Sequence, residues 1–154
     1  MVLYLKKILK EFIKKKAKSY LIPYLALNIG CLILRTILGL FNVLPKINIL
    51  ESLLGIIYGN DIFLDMPSGP SWFLLTLFIS EIIYFLIKKY SKNDQEVGIK
   101  VSILTIIAYL DYLSGYSVDY PWNFNTALMS TIFLFLGNML AKNLNKILFN
   151  IKSA

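Results

Sequence analysis

The chain has 154 residues, which suits one domain, and 57% of them are hydrophobic while only 16% are charged. Soluble domains average about 45–50% apolar residues and about 25% charged residues. A soluble fold of this size would expose much of that apolar surface to water, so the composition favours a lipid environment. The net charge of +7 accompanies no nucleic-acid-binding module, and the absence of histidine excludes histidine metal ligands and bases within this chain.

The first predicted element is a basic amphipathic helix over residues 1–18. Its apolar side chains recur at the spacing of one helical face: Leu5, Ile8, Leu9, Phe12 and Ile13. Its positive charge comes from Lys6, Lys7, Lys10, Lys14, Lys15, Lys16 and Lys18. We expect this helix to lie among the headgroups of the bilayer, where anionic lipids attract lysine.

Apolar segments predicted to cross the membrane follow at about 19–41, 71–87, 98–113 and 123–141. Ile47 to Tyr58 is apolar but too short to span, which predicts an interfacial or re-entrant helix. Asn60, Asp61, Asp65 and the segment 67–70 are typical of turns. The predicted fold is therefore all-α: residues 1–154 form a single membrane domain, an integral bundle of about four transmembrane helices.

The distribution of lysine predicts the orientation of this bundle. Segments 1–18, 88–100 and 142–154 are rich in lysine, whereas loop 42–70 has one lysine against three acidic residues and loop 114–122 has only Asp119. Lysine excess marks the cytoplasmic side. We expect a multi-pass protein of the cytoplasmic membrane with both termini in the cytoplasm, and an outer aromatic belt of Trp72, Trp122, Tyr116 and Tyr120.

Ionisable residues inside the spans are the candidate site residues, because each costs about 2.5–3.5 kcal/mol in the bilayer and seeks a partner. A rise of about 1.5 Å per residue places Arg35 and Asp111 at similar depths, and Asn28 and Glu81 near mid-membrane. We predict the pairs Arg35–Asp111 and Asn28–Glu81, lining a crevice. Arg35 reaching the outer headgroups, Asp111 ending its helix and a purely structural Glu81 remain open alternatives.

Three segments, in order, resemble segments of a known family. Lys18 to Leu25 resembles a basic run followed by "IPYL", and Gly69 to Glu81 resembles the "WFL, two residues, LF" start of a central span. Tyr120 to Leu128, continuing to Gly137 and Lys142, resembles a "PW-hydrophobic-D-T-A" segment and the apolar span after it. In these segments the chain is similar to the acyltransferase-3 family, in particular its fucose 4-O-acetylase-like branch.

The resemblance implies a polytopic membrane enzyme that moves an acyl group, often acetyl from cytoplasmic acetyl-CoA, onto a hydroxyl of an extracytoplasmic carbohydrate. It implies acetyl-CoA as acyl donor, no metal, a cell-envelope carbohydrate as acceptor, and O-acetylation of polysaccharide as the outcome. The partners expected are the lipid bilayer and the missing acyltransferase helices or another subunit.

Two departures from the family bear on activity. The presumed catalytic histidine of the family lies in a span upstream of the segments matched here, so the chain resembles a central fragment, and Asn125 stands where the family usually has aspartate. The catalytic residues are unknown, and the weak candidates are Glu81, Asp111, Arg35 and Asn125. Whether the chain is an enzyme stays open: the alternatives to an incomplete or inactive acyltransferase are a non-catalytic four-span accessory or immunity-type protein and a small transporter subunit using Glu81.

Overall fold

The computed structural model describes residues 2–59, 69–114 and 120–152, and every regular element in these ranges is helical. The helices are α1 (Val2–Leu40), α2 (Ile49–Tyr58), α3 (Trp72–Lys89), α4 (Asp94–Leu113) and α5 (Phe124–Lys152), and short 3₁₀ turns occupy Gly69–Ser71 and Pro121–Asn123. The prediction of an all-α membrane bundle is confirmed. The turn residues Asp61 and Asp65 and the belt residue Tyr116 lie outside the described ranges.

Two of the described helical segments, Lys6–Leu40 and Pro121–Leu144, are long and apolar enough to cross a bilayer. In each of them only 11% of the most apolar window is buried. A core helix of a soluble protein would bury most of that surface, so the exposure agrees with contact with lipid. The number of four spans stays a prediction.

Helix α1 joins two segments that the sequence predicts as separate elements. The basic segment 1–18 and the apolar segment 19–41 form one helix that continues through Pro23 without a break. At about 1.5 Å per residue this helix is about 58 Å long, nearly twice the thickness of a hydrocarbon core. It ends at Leu40, and Asn42 just beyond it has a left-handed backbone (φ 56°), which asparagine tolerates at a helix C-terminus.

The chain divides into two compact units. The first unit comprises Met1–Ile79 and Ser117–Phe124, and the second comprises Ser80–Tyr116 and Asn125–Ala154. In the first unit, Tyr24, Ile56 and Leu75 are buried, so that one side chain from each of α1, α2 and α3 meets in a common core. Other side chains pack against this core while remaining partly exposed: Leu21, Leu32, Trp72, Leu74 and Trp122.

The second unit packs the end of α3, α4 and α5 through small side chains. Ser80 is buried on α3, and its hydroxyl donates to the carbonyl of Ala127 on α5 at 3.0 Å. A Cβ atom on Gly98 would lie 3.0 Å from the ring of Phe135, so α4 and α5 approach each other closely there. Small residues at helix contacts are typical of membrane bundles, because they allow close backbone approach.

Candidate functional site

A buried polar cluster lies in the first unit, on the inner face of α1. Asn28 is only 1% exposed, and its Nδ2 donates to the carbonyl of Tyr24 and to Oγ of Ser71, both at 2.8 Å. The hydroxyl of Tyr24 donates to the carbonyl of Ile56 at 2.6 Å. These bonds tie α1 to α2 and to the turn before α3, because buried polar groups in apolar surroundings are costly unless they are hydrogen-bonded.

The side-chain oxygen of Asn28 is the open position of this cluster. Oδ1 is buried, and it accepts no hydrogen bond from the residues that the structure describes. Leaving such an acceptor unmet costs about 1–3 kcal/mol. Both amide hydrogens of Asn28 are used by the carbonyl of Tyr24 and by Ser71.

The turn Pro121–Asn123 holds a tryptophan in a strained conformation. Trp122 (φ 59°, ψ 23°) and Asn123 (φ 48°) both have left-handed backbones. Indole Nε1 of Trp122 donates to the carbonyl of Ile57 at 2.9 Å, and its ring centroid lies 6.4 Å from that of Phe78. Backbone strain of this kind costs about 1–3 kcal/mol and persists only where the surroundings hold it, often at functional sites.

Gly59 follows the end of α2. It lies between the buried polar cluster and the turn that carries Trp122. Its backbone is left-handed (φ +66°), and a Cβ atom there would lie 2.2 Å from Cδ1 of Leu75 and 3.1 Å from Cδ1 of Trp122. The hydroxyl of Tyr24 would be 3.4 Å away. Only glycine fits this position, because both the conformation and the space exclude a side chain.

An open groove of about 1010 Å³ runs along α2 in the same unit. Its polar lining comes from Lys46, Asn48, Glu51, Ser52 and Tyr58, and its apolar lining includes Ile47, Leu54 and Ile57. Pro121 also lines it, which places the groove next to the turn that carries Trp122. The groove therefore joins a mixed polar and apolar surface to the most strained part of the unit.

The four residues proposed from sequence are all partly buried, but they do not form one group. Arg35 lies on α1 in the first unit, whereas Glu81, Asp111 and Asn125 belong to the second. Oε2 of Glu81 is buried. The bond from Ser80 to Ala127 brings the stretches of chain carrying Glu81 and Asn125 to the same helix contact. Asp111 lies in the last turn of α4, and its carbonyl accepts from the hydroxyl of Ser114 at 2.7 Å.

The two predicted polar pairs each join residues of different units, so both stay predictions. The sequence predicts a contact of Asn28 with Glu81. In the structure the amide hydrogens of Asn28 are donated to Oγ of Ser71 and to the carbonyl of Tyr24. Depth in the membrane, on which the pairing with Glu81 was based, fixes height along a helix but not direction around it.

Charged groups of the second unit gather at the end where α3 gives way to α4. Lys142 on α5 contacts both carboxylate oxygens of Asp94, at 2.7 Å to Oδ1. Glu96 pairs with Lys100 at 2.6 Å and accepts the backbone N–H of Lys92 at 2.8 Å. The ammonium of Lys100 and then that N–H hold the pKa of the Glu96 carboxyl below its usual range. No three acidic, cysteine or histidine residues in the described ranges lie close enough to hold a metal ion.

Sequence reasoning did not place Tyr24, Ser71 and Trp122 in a site, although each belongs to one of the three resembling segments. The structure brings parts of these segments together in the first unit: the helix of the "IPYL" segment bonds to Ser71 through Asn28, and Trp72 and Trp122 pack on the same core as Tyr24. The remainder of the second and third segments belongs to the second unit. Membership of the three motifs was the only sequence signal that pointed to these residues. Their contacts with one another depend on the tertiary fold.

The acyltransferase-3 family model, which describes an acyltransferase domain, matches residues 1–153, nearly the whole chain. No curated protein and no solved structure matches this chain. The residues that build the cluster and the tryptophan turn are thus those of an all-α membrane protein whose sequence fits one family from end to end. The chain belongs to the acyltransferase-3 family.

Proposed function

We propose that this chain is part of a membrane O-acetyltransferase that passes an acetyl group from acetyl-CoA to a hydroxyl of a cell-envelope carbohydrate. The observation that carries the proposal is the convergence of parts of the three family segments on Tyr24, Ser71 and Trp122 in one unit. A strained, tightly held turn beside a buried polar cluster is the kind of rigid arrangement that positions a reacting group.

The proposal assigns binding and positioning to this chain rather than proton transfer. Acyl transfer to a hydroxyl needs a base to take the hydroxyl proton, which contributes about 10²–10⁴-fold, and the chain has no histidine. Glu81 and Asp111 are the acidic candidates within its spans. We propose that the base comes from further acyltransferase helices or another subunit, so that this chain by itself is incomplete or inactive.

The test is reconstitution with radiolabelled acetyl-CoA and a cell-envelope polysaccharide. The purified chain is assayed in lipid nanodiscs alone, with the histidine-bearing spans of a family member, and with those spans carrying His→Ala. We expect transfer only in the second sample. Transfer by the chain alone would contradict its incompleteness.

Absence of transfer in all three samples would favour the second candidate function, a non-catalytic accessory membrane protein. The lack of any histidine is the observation that favours this candidate.

For the topology we propose four spans in the cytoplasmic membrane with both termini inside. Cys31 is the single cysteine, so a C31S background allows one reporter cysteine at a time. An impermeant maleimide should label S68C and S117C on intact cells, and S91C and S153C only after lysis. Labelling of S91C on intact cells would contradict the proposed arrangement.

A further inference from the structure

The polar wall of the α2 groove is a stripe along one side of a short helix. Asn48, Glu51, Ser52 and Tyr58 stand at the spacing i, i+3, i+4 and i+10, and Gly55 at i+7 leaves the middle of the stripe open. This spacing keeps them on one helical face. The rest of α2 is leucine and isoleucine, so the polar face is a distinct surface on an otherwise apolar helix.

The apolar sides of α2 place the groove at the edge of the lipid. Leu50 and Ile57 are 66% and 71% exposed, and a soluble surface seldom shows such side chains together. With ten residues the helix is about 15 Å long, half of a hydrocarbon core. Polar side chains on a helix in this setting face a cavity or a polar ligand rather than lipid.

The lining has the chemistry of an amphipathic ligand. Lys46 and Glu51 contribute one charge of each sign, and Ser52 and Tyr58 contribute hydroxyl groups. Because these two charges balance, the combination favours a neutral head group with many hydroxyls over a phosphate or a carboxylate, which Glu51 would repel while Lys46 attracts it. Ile47, Leu54 and Ile57 provide an apolar strip beside it, on which a hydrocarbon chain can lie.

We propose that this groove binds the carbohydrate acceptor in lipid-anchored form, with the sugar hydroxyls on Glu51 and the chain along Leu54 and Ile57. The carbohydrate part rests on the proposed function; the location of the site and the need for a lipid anchor go beyond it. Pro121 borders the groove and is followed directly by Trp122, so a bound head group lies beside the strained turn and the core on which that turn packs.

The experiment is a binding titration that follows tryptophan fluorescence. Both tryptophans of the chain, Trp72 and Trp122, belong to the first unit, so the signal reports on this unit alone. The protein in phosphatidylcholine nanodiscs is titrated with octyl glucoside below its micelle concentration, with free glucose, and with octyl tetraethylene glycol, which has the same chain and no sugar. We expect a saturable change with octyl glucoside only.

Variants locate the binding site. Loss of hydrogen bonds to a charged group should weaken octyl glucoside binding about tenfold or more in E51Q. The matched control E11Q changes the same residue type on the exposed basic part of α1 and should bind as the parent does. Equal binding of free glucose, equal binding of octyl tetraethylene glycol, no saturable signal, or an E51Q variant that binds normally would each overturn the proposal.

This titration is independent of the acetyl-transfer assay, because it needs neither acyl donor nor catalytic base. Binding without transfer in the reconstituted samples would support the groove as a binding site and contradict the proposed function. Transfer without saturable binding would support the proposed function and contradict the groove as a binding site.

Discussion

The two units of the chain use their polar groups in different ways. In the first unit two of the buried polar groups, Asn28 and Ser71, form a cluster beside a strained tryptophan turn and an open groove. In the second unit the polar contacts join helix to helix: Ser80 to the carbonyl of Ala127, and Nδ2 of Asn138 to the hydroxyl of Tyr84 at 2.9 Å. Polar contacts join separate elements in both units, and those of the first unit also lie beside a strained turn.

The strained backbone and most of the candidate site residues fall in different units of the chain. Of the candidates proposed from sequence, the ionisable residues Glu81 and Asp111 and the motif residue Asn125 belong to the second unit, whereas Arg35 belongs to the first. The strained left-handed backbone of Trp122 lies in the first unit together with the groove. Strain that the fold holds in place is a sign of function that charge alone does not give.

The largest expected effect comes from closing the space at Gly59. In G59A the new Cβ would meet Leu75 at 2.2 Å on a left-handed backbone, so we expect a loss of about 3 kcal/mol in the free energy of unfolding. Thermal unfolding in detergent measures it. The control is G30A, where a Cβ meets nothing within 4 Å. An equal loss of stability in G30A would mean that the change from glycine to alanine itself, and not the lack of space, causes the loss in G59A.

A second pair of variants compares the two units directly. N28A removes two donated hydrogen bonds at a buried site and should cost about 2–3 kcal/mol. N138A removes one such bond at a half-buried site and should cost about 1 kcal/mol. Unfolding by sodium dodecyl sulfate in mixed micelles gives both values. If N138A were the more destabilising variant, the contrast between the units would be wrong.

A smaller effect should follow from removing the indole donor of Trp122. W122F keeps an aromatic ring in the core but leaves the carbonyl of Ile57 without the bond at 2.9 Å, which should cost about 1 kcal/mol. The same unfolding measurement applies, and W72F is the matched control, since no hydrogen bond from its indole is present among the described contacts. An unchanged W122F would show that packing, and not this bond, holds the left-handed turn.

The smallest effect should be the pH dependence of the second unit at its charged end. The pKa of Glu96 is lowered in the folded state by the ammonium of Lys100 and the N–H of Lys92, so its contribution to stability is present above the ordinary carboxyl pKa. That contribution should be lost as pH falls through the lowered pKa. Unfolding midpoints measured from pH 7 to pH 3 should fall less in E96Q than in the parent, with E11Q behaving as the parent; identical curves for E96Q and the parent would refute this.

The sequence predicts the helices of this chain well because hydrophobic periodicity and turn residues are local signals. The sequence predicts a short helix within Ile47 to Tyr58, and the structure has α2 over Ile49–Tyr58. The end of a separate basic helix near residue 18 was expected and is not found, since the stretch around it has no glycine and continues as α1. Lysine runs change the environment of a helix without ending it.

The candidate site was predictable only in its parts. The resembling segments contain Tyr24, Ser71 and Trp122, but Asn28 and Ser71 are 43 residues apart, and no local pattern gives their hydrogen bond. The left-handed backbone of Trp122 runs against the preference of its own side chain. Such a conformation is imposed by contacts with Ile57 and Phe78, which exist only once the unit is folded.

The unbroken course of α1 has a mechanical consequence. One continuous helix carries the lysines near its start and, beyond Pro23, Tyr24 and Asn28. A force that turns or tilts the charged end, such as adsorption to anionic headgroups, would then also act on the anchor points of α2 and of the turn before α3. The lipid composition on one side of the bilayer would then set the alignment of the polar cluster about 15 to 30 Å away along the same axis.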